Sequence, residues 1–354
     1  GGYKMKCTIL ILLFAFIAFS VAKNNINDDF ENLLKGQDLA SDYEIMKIYQ
    51  DFLYSYKNTK FSAAKDMDRF VIFKNNVRNV IAHNSNPERT YNKGINHLSD
   101  MTSEEKMNHY NLMEPQECSA TASSRKEYNS EIPTNFSWVD QEMVSPVKDQ
   151  KSCGSCWTFS TTGAMESHYK ISSGNEELLS EQELVSCPDA ERYDTHGCSG
   201  GLPSYAFNFI RDFGLETEND YPYLARDAPC TFNATALRIT TDGPFNITAG
   251  DEQQMMEELY NNGPVSVSFQ VISDFMDYES GVYSSLDCES TQQDVNHAVL
   301  AVGFGTTTDG VDYWVVKNSW SEVWGDEGYF KIKRGDNMCA IAMCNSYPLN
   351  VRKA

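Results

Sequence analysis

Cys156, His297 and Asn318 are the residues whose types and positions could do chemistry together in this chain. Cys156 belongs to CGSCW, Cys153 to Trp157, and opens the helical run WTFSTTGAMES. A cysteine attacks as its thiolate, and a helix N-terminus with a nearby imidazole lowers its pKa by several units. The imidazole must come from elsewhere in the chain. His83, His97 and His109 lie in the N-terminal segment, His168 in a helix and His196 in a loop. His297 differs, because HAVLAVGFG and DYWVVKNSW read as the arms of a hairpin about the turn-rich GTTTDG. A pairing symmetric about residue 307.5 sets His297 opposite Asn318, whose amide can hold the ring, and a bulge would shift this by one residue.

Two other readings of CGSCW compete with a nucleophile beside a structural cysteine. It could be half of a zinc site completed by Cys339 and Cys344, but zinc thiolates fit poorly with an oxidising route and a C-x4-C partner is atypical. A redox pair would need a βαβ context, which is absent. The nucleophile reading implies no metal and no organic cofactor.

The elements that must position these residues sit late in the chain. Met5, Lys6 and the apolar run Ile9–Phe19, ending in Ser20-Val21-Ala22, read as a secretory signal peptide over residues 1–22, with Gly1–Lys4 upstream of it. The run is too short for a comfortable membrane anchor. Secretory entry makes disulfides available and marks Asn135, Asn233 and Asn246 as N-glycosylation candidates. A net charge of −21 argues against nucleic-acid or anionic-membrane partners. Tyr43, Met46, Tyr49, Phe52 or Leu53, and Tyr56 recur at helical spacing over 41–57, as do Met67, Phe70, Phe73, Val77 and Val80 over 67–81. A polar linker follows to about Glu131, containing EPQECSAT and SSRKEYNSE. Beyond Ile132 the signals are helical to about residue 245, clearest over Trp157–Ile171 and Ser180–Ser186, and strand-like afterwards through GPVSVSFQVI, HAVLAVGFG, YWVVKNSW and GYFKIKRG. A helical lobe over about 132–245 and a β lobe over about 246–354 predict an α+β fold with a cleft between them.

KDQKSCGSCWTFS, GCSGG, VNHAVLAVGFG and KNSW with a following WG resemble the papain-like cysteine proteases of the cathepsin family over nearly all of the chain after the signal peptide. The resemblance implies a two-lobed fold, a helical left lobe against a β-barrel-like right lobe, made as a zymogen. It makes Cys156 the nucleophile, His297 the acid–base partner, Asn318 its orienter, and Gln150 an oxyanion donor beside the Cys156 N–H. Trp320 would shield the His–Asn pair, and Gly200 with Gly201 would line the substrate backbone. The N-terminal helices, with Arg69, Phe73, Asn76, Asn84, Gly94, Asn96 and Asp100 at motif spacing, resemble the inhibitory propeptide, here within 23–131. Lys65, Val80 and Leu98 depart from that motif, as do Lys151 and Ser321 from the catalytic one, where the family has glycine.

EPQECSAT, residues 114–121, carries a lone cysteine, Cys118, in the polar linker. It resembles the retained mini-chain of the cathepsin H branch, as do NMCAIAMC and SCGSCWTFSTTGAMES. The resemblance pairs Cys153 with Cys198, Cys187 with Cys230, and Cys288 with Cys339; Cys7 leaves with the signal peptide, and Cys118 with Cys344 would tether the mini-chain. Its end at Thr121 would meet the substrate's amino group. The resemblance implies a lysosomal, possibly secreted, monomeric aminopeptidase with residual endopeptidase activity, acting on peptides and proteins and inhibited by its propeptide and by cystatin-like proteins. An open-cleft cathepsin L-like endopeptidase and an inactive binding homologue are the alternatives.

Overall fold

The computed structural model describes residues 41–113, 118, 127–233, 235–236 and 238–354; the expected leader and Thr121 lie outside the described residues. The chain divides into two compact units, one ending at Glu104 and the other running from Glu105 to Ala354.

The first unit is built on α1, Asp42–Lys57, and α2, Ala63–Asn84. Ser41 and Glu44 close a capping box at the start of α1, supplying acceptors to N–H groups that have no partner within the helix. Ile45, Ile48, Tyr49, Phe52 and Leu53 bury the inner stripe of α1 against Phe70, Phe73, Val77 and Val80 of α2. This stripe is rotated from the one expected, with Tyr43 84% and Met67 45% exposed. The branched series from Ile45 holds the face, and these two end residues project to solvent. The loop after α2 carries the short strand β1, Tyr91–Lys93, and is pinned by amides. Asn76 Nδ2 donates to Ser99 O at 2.9 Å and Met101 O at 2.8 Å, and Asn84 bonds both backbone groups of Lys93. Asp100 pairs with Lys57 at 3.1 Å. Val80 and Leu98 keep the buried apolar character their positions need, and Lys65 is exposed.

In the second unit, α3, Ser103–His109, crosses the boundary between the units. The central element is α4, Cys156–Ser173, ending at Gly174 with φ 71°. It is buried almost all round, which is why its apolar period is weak. Its hydroxyls turn inward to fixed acceptors, as Ser160 does to Val299 O at 2.7 Å and Thr161 to Trp157 O at 2.7 Å. Around it stand α5, Glu181–Ser186, capped by Ser180; α6, Ala190–Tyr193; and α7, Pro203–Phe213.

The sheet of the other lobe runs β7 (Tyr278–Tyr283), β10 (Tyr329–Lys333), β9 (Asp312–Lys317), β8 (His297–Thr306), β6 (Val265–Phe269), β11 (Ser346–Pro348) and β5 (Pro244–Asn246). Only β7 and β10 among these pair in parallel. One helix interrupts the strand-like region: α8, Glu252–Asn262, capped by Asp251 and burying Met255 and Leu259. Each lobe also borrows a chain end. β2, Phe136–Ser137, pairs with β8, while β12, Arg352–Lys353, pairs with β4, Arg238–Thr240, which pairs in turn with β3, Leu215–Glu216. Among the described residues no helix is long and apolar enough to cross a membrane.

Arg238 of β4 reaches two buried carboxylates, Glu183 of α5 and Glu216 of β3, and ties the small sheet to the helices. Replacing one partner of a buried ion pair strands the other charge, at a cost of about 3–5 kcal/mol. Arg238→Met should therefore lower the thermal unfolding midpoint of the protein by about 10 °C, and an unchanged midpoint would show that the cluster contributes nothing.

Candidate active site

α4 begins at the site. Ser155 precedes it with φ −103° and ψ 16°, and Cys156 occupies its first turn, where unpaired N–H groups and the helix dipole favour negative charge. The loop before it is held from below: Tyr223 OH donates to Gln150 O at 2.8 Å and shares a 2.6 Å hydrogen bond with Ser155 Oγ. Cys156 is the free cysteine of the described residues and is fully buried. Ala298 N lies 3.5 Å from its sulfur, so the first residues of β8 bring His297 alongside.

His297 is oriented by Asn318, but not through the pairing expected. The hairpin is centred on Asp309: Thr306 faces Asp312, and Leu300 faces Lys317, with a bulge between Ala301 and Gly303. Gly310, with φ 83°, closes the turn through its N–H to Thr307 O at 3.0 Å, so the loop sits further along the chain than a turn about 307.5. Asn318 thus lies one residue beyond the end of β9 and reaches His297 across the strand ends. His297 Nε2 stands 2.8 Å from Asn318 Oδ1, which also accepts Ser319 N–H at 2.8 Å. That double acceptance makes the amide oxygen the group facing the ring and places the imidazole hydrogen on Nε2. Nδ1 makes no hydrogen bond among the described residues. Trp320 stacks on the ring at 4.8 Å, shielding the pair.

Gln150 is fully buried, its Oε1 accepting from Ser319 Oγ at 2.7 Å and its Nε2 donating to Cys153 O at 3.1 Å. Gly200 has φ 119°, and a Cβ on Gly201 would come within 2.8 Å of the Trp157 ring, so both positions favour glycine. The cysteines pair as Cys153–Cys198, Cys187–Cys230, Cys288–Cys339 and Cys118–Cys344. Cys344 is buried against Leu202, with Cys118 packed beside it. Asn135 and Asn233 are exposed, whereas Asn246 is half-buried in β5.

The segment after α3 covers this arrangement. Tyr110 stacks on Trp320 with centroids 4.4 Å apart and planes within 4°, and its carbonyl faces Gln150 Nε2 at 3.4 Å. Asn111 Nδ2 donates to Cys198 O at 2.6 Å, and Met113 N donates to Asn296 O at 3.0 Å. Met113 packs in one cluster with Cys156, Trp157 and Ala298. This contact set was not legible in NHYNLM, whose only signal is one aromatic between polar residues.

Burial dominates the electrostatics. It pushes the Cys156 thiol up to about 11 against the hydrogen bonds it receives. It also pulls His297 down to about 4, opposed by the Asn318 bond. Both groups are neutral in the covered site. Uncovering the ring restores its usual affinity for a proton, so between pH 6.5 and 4 the open form binds a proton that the closed form does not. Acid therefore favours opening, by up to about 3 kcal/mol. A thiol at a helix start, an imidazole held by an amide and a fixed side-chain donor are together equipped for nucleophilic acyl transfer.

Lys151 and Ser321 both have left-handed backbones, with φ 54° and φ 66°. They flank the pairing of Asp149 with Trp320, in which Gln150 N donates to Ser319 O at 2.9 Å and Ser321 N to Lys148 O at 3.1 Å. Non-glycine residues pay about 1 kcal/mol there. Lys151→Gly and Ser321→Gly should each stabilise the protein by up to about 1 kcal/mol, part of it offset by the freer unfolded chain; a loss of stability in chemical denaturation would contradict this.

Residues 132–349 match the model of the papain family cysteine proteases, and residues 49–105 match the cathepsin propeptide inhibitor domain. The chain is similar to pro-cathepsin H of Bos taurus, 43% identical over 303 residues, covering 85% of this chain and 89% of that one. It is similar also to the thiol protease aleurain of Arabidopsis thaliana, 45% identical over 82% of this chain and 80% of that one. A solved structure of digestive procathepsin L 3 from the larval midgut of Tenebrio molitor superposes with a TM-score of 0.77 at 34% identity, covering 86% of this chain and 99% of that one. The papain-like fold, the inhibitor domain before it and these relatives make the chain a zymogen of a cysteine peptidase, and it belongs to the papain family of cysteine proteases.

Proposed function

We propose that Cys156, His297, Asn318 and Gln150 carry the peptidase reaction, and that the mature enzyme acts mainly as an aminopeptidase. The Cys156 thiolate attacks the scissile carbonyl while the Gln150 amide and the Cys156 N–H hold the developing oxyanion. His297 gives its proton to the leaving amine, a thioester remains on Cys156, and water adds to it with His297 as base, releasing the acid and restoring the thiol. Asn318 keeps the imidazole facing the sulfur, a positioning role.

The observation that carries the aminopeptidase reading is the Cys118–Cys344 disulfide. It fastens the centre of EPQECSAT beside Leu202, next in sequence to the Gly200–Gly201 wall. A tethered peptide there blocks the non-primed subsites, and a carboxylate at Thr121 pairs with a free substrate amino group. The likeness to pro-cathepsin H and aleurain supports the same mode. An acid compartment, the lysosome, suits a cleft that protons help to open. Interaction with cystatin-like inhibitors and a monomeric state complete the reading.

After acid activation under mild thiol, an arginine amide with a free α-amino group should be hydrolysed at least about tenfold better than the same amide in an N-blocked dipeptide. Cys118→Ser should reverse the preference. Equal or better cleavage of the blocked substrate by the parent enzyme would instead mean an open endopeptidase cleft.

A further inference from the structure

Residues 127–131 stand upstream of the family match, which starts at residue 132, yet they are fastened to the catalytic unit. The fastening centres on Glu258, fully buried on α8. Its Oε2 accepts three hydrogen bonds: from Tyr128 OH at 2.6 Å, from Tyr347 OH at 2.7 Å and from Asn262 Nδ2 at 2.8 Å. Asn262 Nδ2 also stands 2.8 Å from Tyr128 OH, so the phenol accepts one bond and donates another. Ser130 Oγ adds a 2.6 Å bond to Asn261 Oδ1, one residue along the same helix. A buried carboxylate is costly wherever its donors are missing. Here one of the three comes from the segment before Ile132.

We infer that Tyr128 belongs to the mature catalytic chain, held in the Glu258–Tyr347–Asn262 site, and that the maturation cut falls N-terminal to it. The covalent step is hydrolysis of one peptide bond before Tyr128: water supplies the hydroxyl of the new carboxyl end and the hydrogen of the new amino end. A cut after Tyr128 would pull its hydroxyl from the buried carboxylate and uncover the face of α8 it caps. Asn129, Ser130 and Glu131 are exposed, so the docking rests on the half-buried Tyr128 with the Ser130 bond beside it, and opening the chain before Tyr128 leaves both in place.

The test uses the full zymogen activated at acid pH, with the N-terminus of the large product read by intact mass and terminal sequencing. A start at or before Tyr128 is expected, and a start at Asn129 or later overturns the inference. Tyr128→Phe keeps the ring and removes the donor. It should lower the unfolding midpoint of the zymogen and of the mature enzyme by a similar few degrees. A drop in the zymogen with none in the mature enzyme would show that the contact is discarded on maturation. If the variant fails to fold, the terminus of the parent product still decides.

Discussion

The exclusion of water from Cys156 and His297 is the constraint on which the rest of the structure depends. A thiol and an imidazole side by side form an ion pair only if water or fixed dipoles stabilise the separated charges. Tyr110, Asn111 and Met113 occupy the surface where that solvent would stand. The helix start, the amide on Nε2 and the indole on the ring are all in place in the zymogen. What the cover removes is the hydration that lets the pair ionise. Inhibition here is therefore electrostatic as well as steric, and the same burial makes the covered state sensitive to acid.

The two lobes hold this geometry by exchanging chain ends and by buried charge. β2 enters the sheet and β12 leaves it for the helical side, so neither lobe closes alone. Beneath the site Lys148 bridges Glu166 and Glu181 at 2.7 Å each. Lys317, buried at the end of β9, is pulled down to about 8 by burial and donates to Ser145 Oγ at 3.1 Å. Lys317 is the last residue of β9 and precedes Asn318, so the position of the His297 orienter is tied to the packing around Ser145.

Local chemistry was legible and long-range geometry was not. CGSCW before a helical run, a lone histidine at a strand start and KNSW pointed to the site, and the structure brings Cys156, His297 and Asn318 together. The route was misjudged: a register read from turn composition allowed for a one-residue bulge, present at Ala301–Gly303, but set the turn about 307.5, whereas the chain reverses about Asp309 and Gly310. α8 carried its own signal in Asp251 and the Met255–Leu259 spacing, overshadowed by the strands around it. The departures at Lys151 and Ser321 were visible as residue types, but their left-handed backbone, which explains why glycine is favoured there, belongs to tertiary structure. Nothing local marks Tyr128 as the partner of Glu258, more than a hundred residues away.

The most direct measurement is the rate at which iodoacetamide alkylates Cys156 as a function of pH, in the intact zymogen and in the activated enzyme. The other described cysteines are in disulfides, so the reaction reports this thiol. A covered, neutral thiol predicts slow alkylation of the zymogen near neutrality, rising only well above pH 8, and fast alkylation of the activated enzyme in the acid-to-neutral range. Equal rates at pH 6–7 would show that the covered pair is already ionised and would contradict the account.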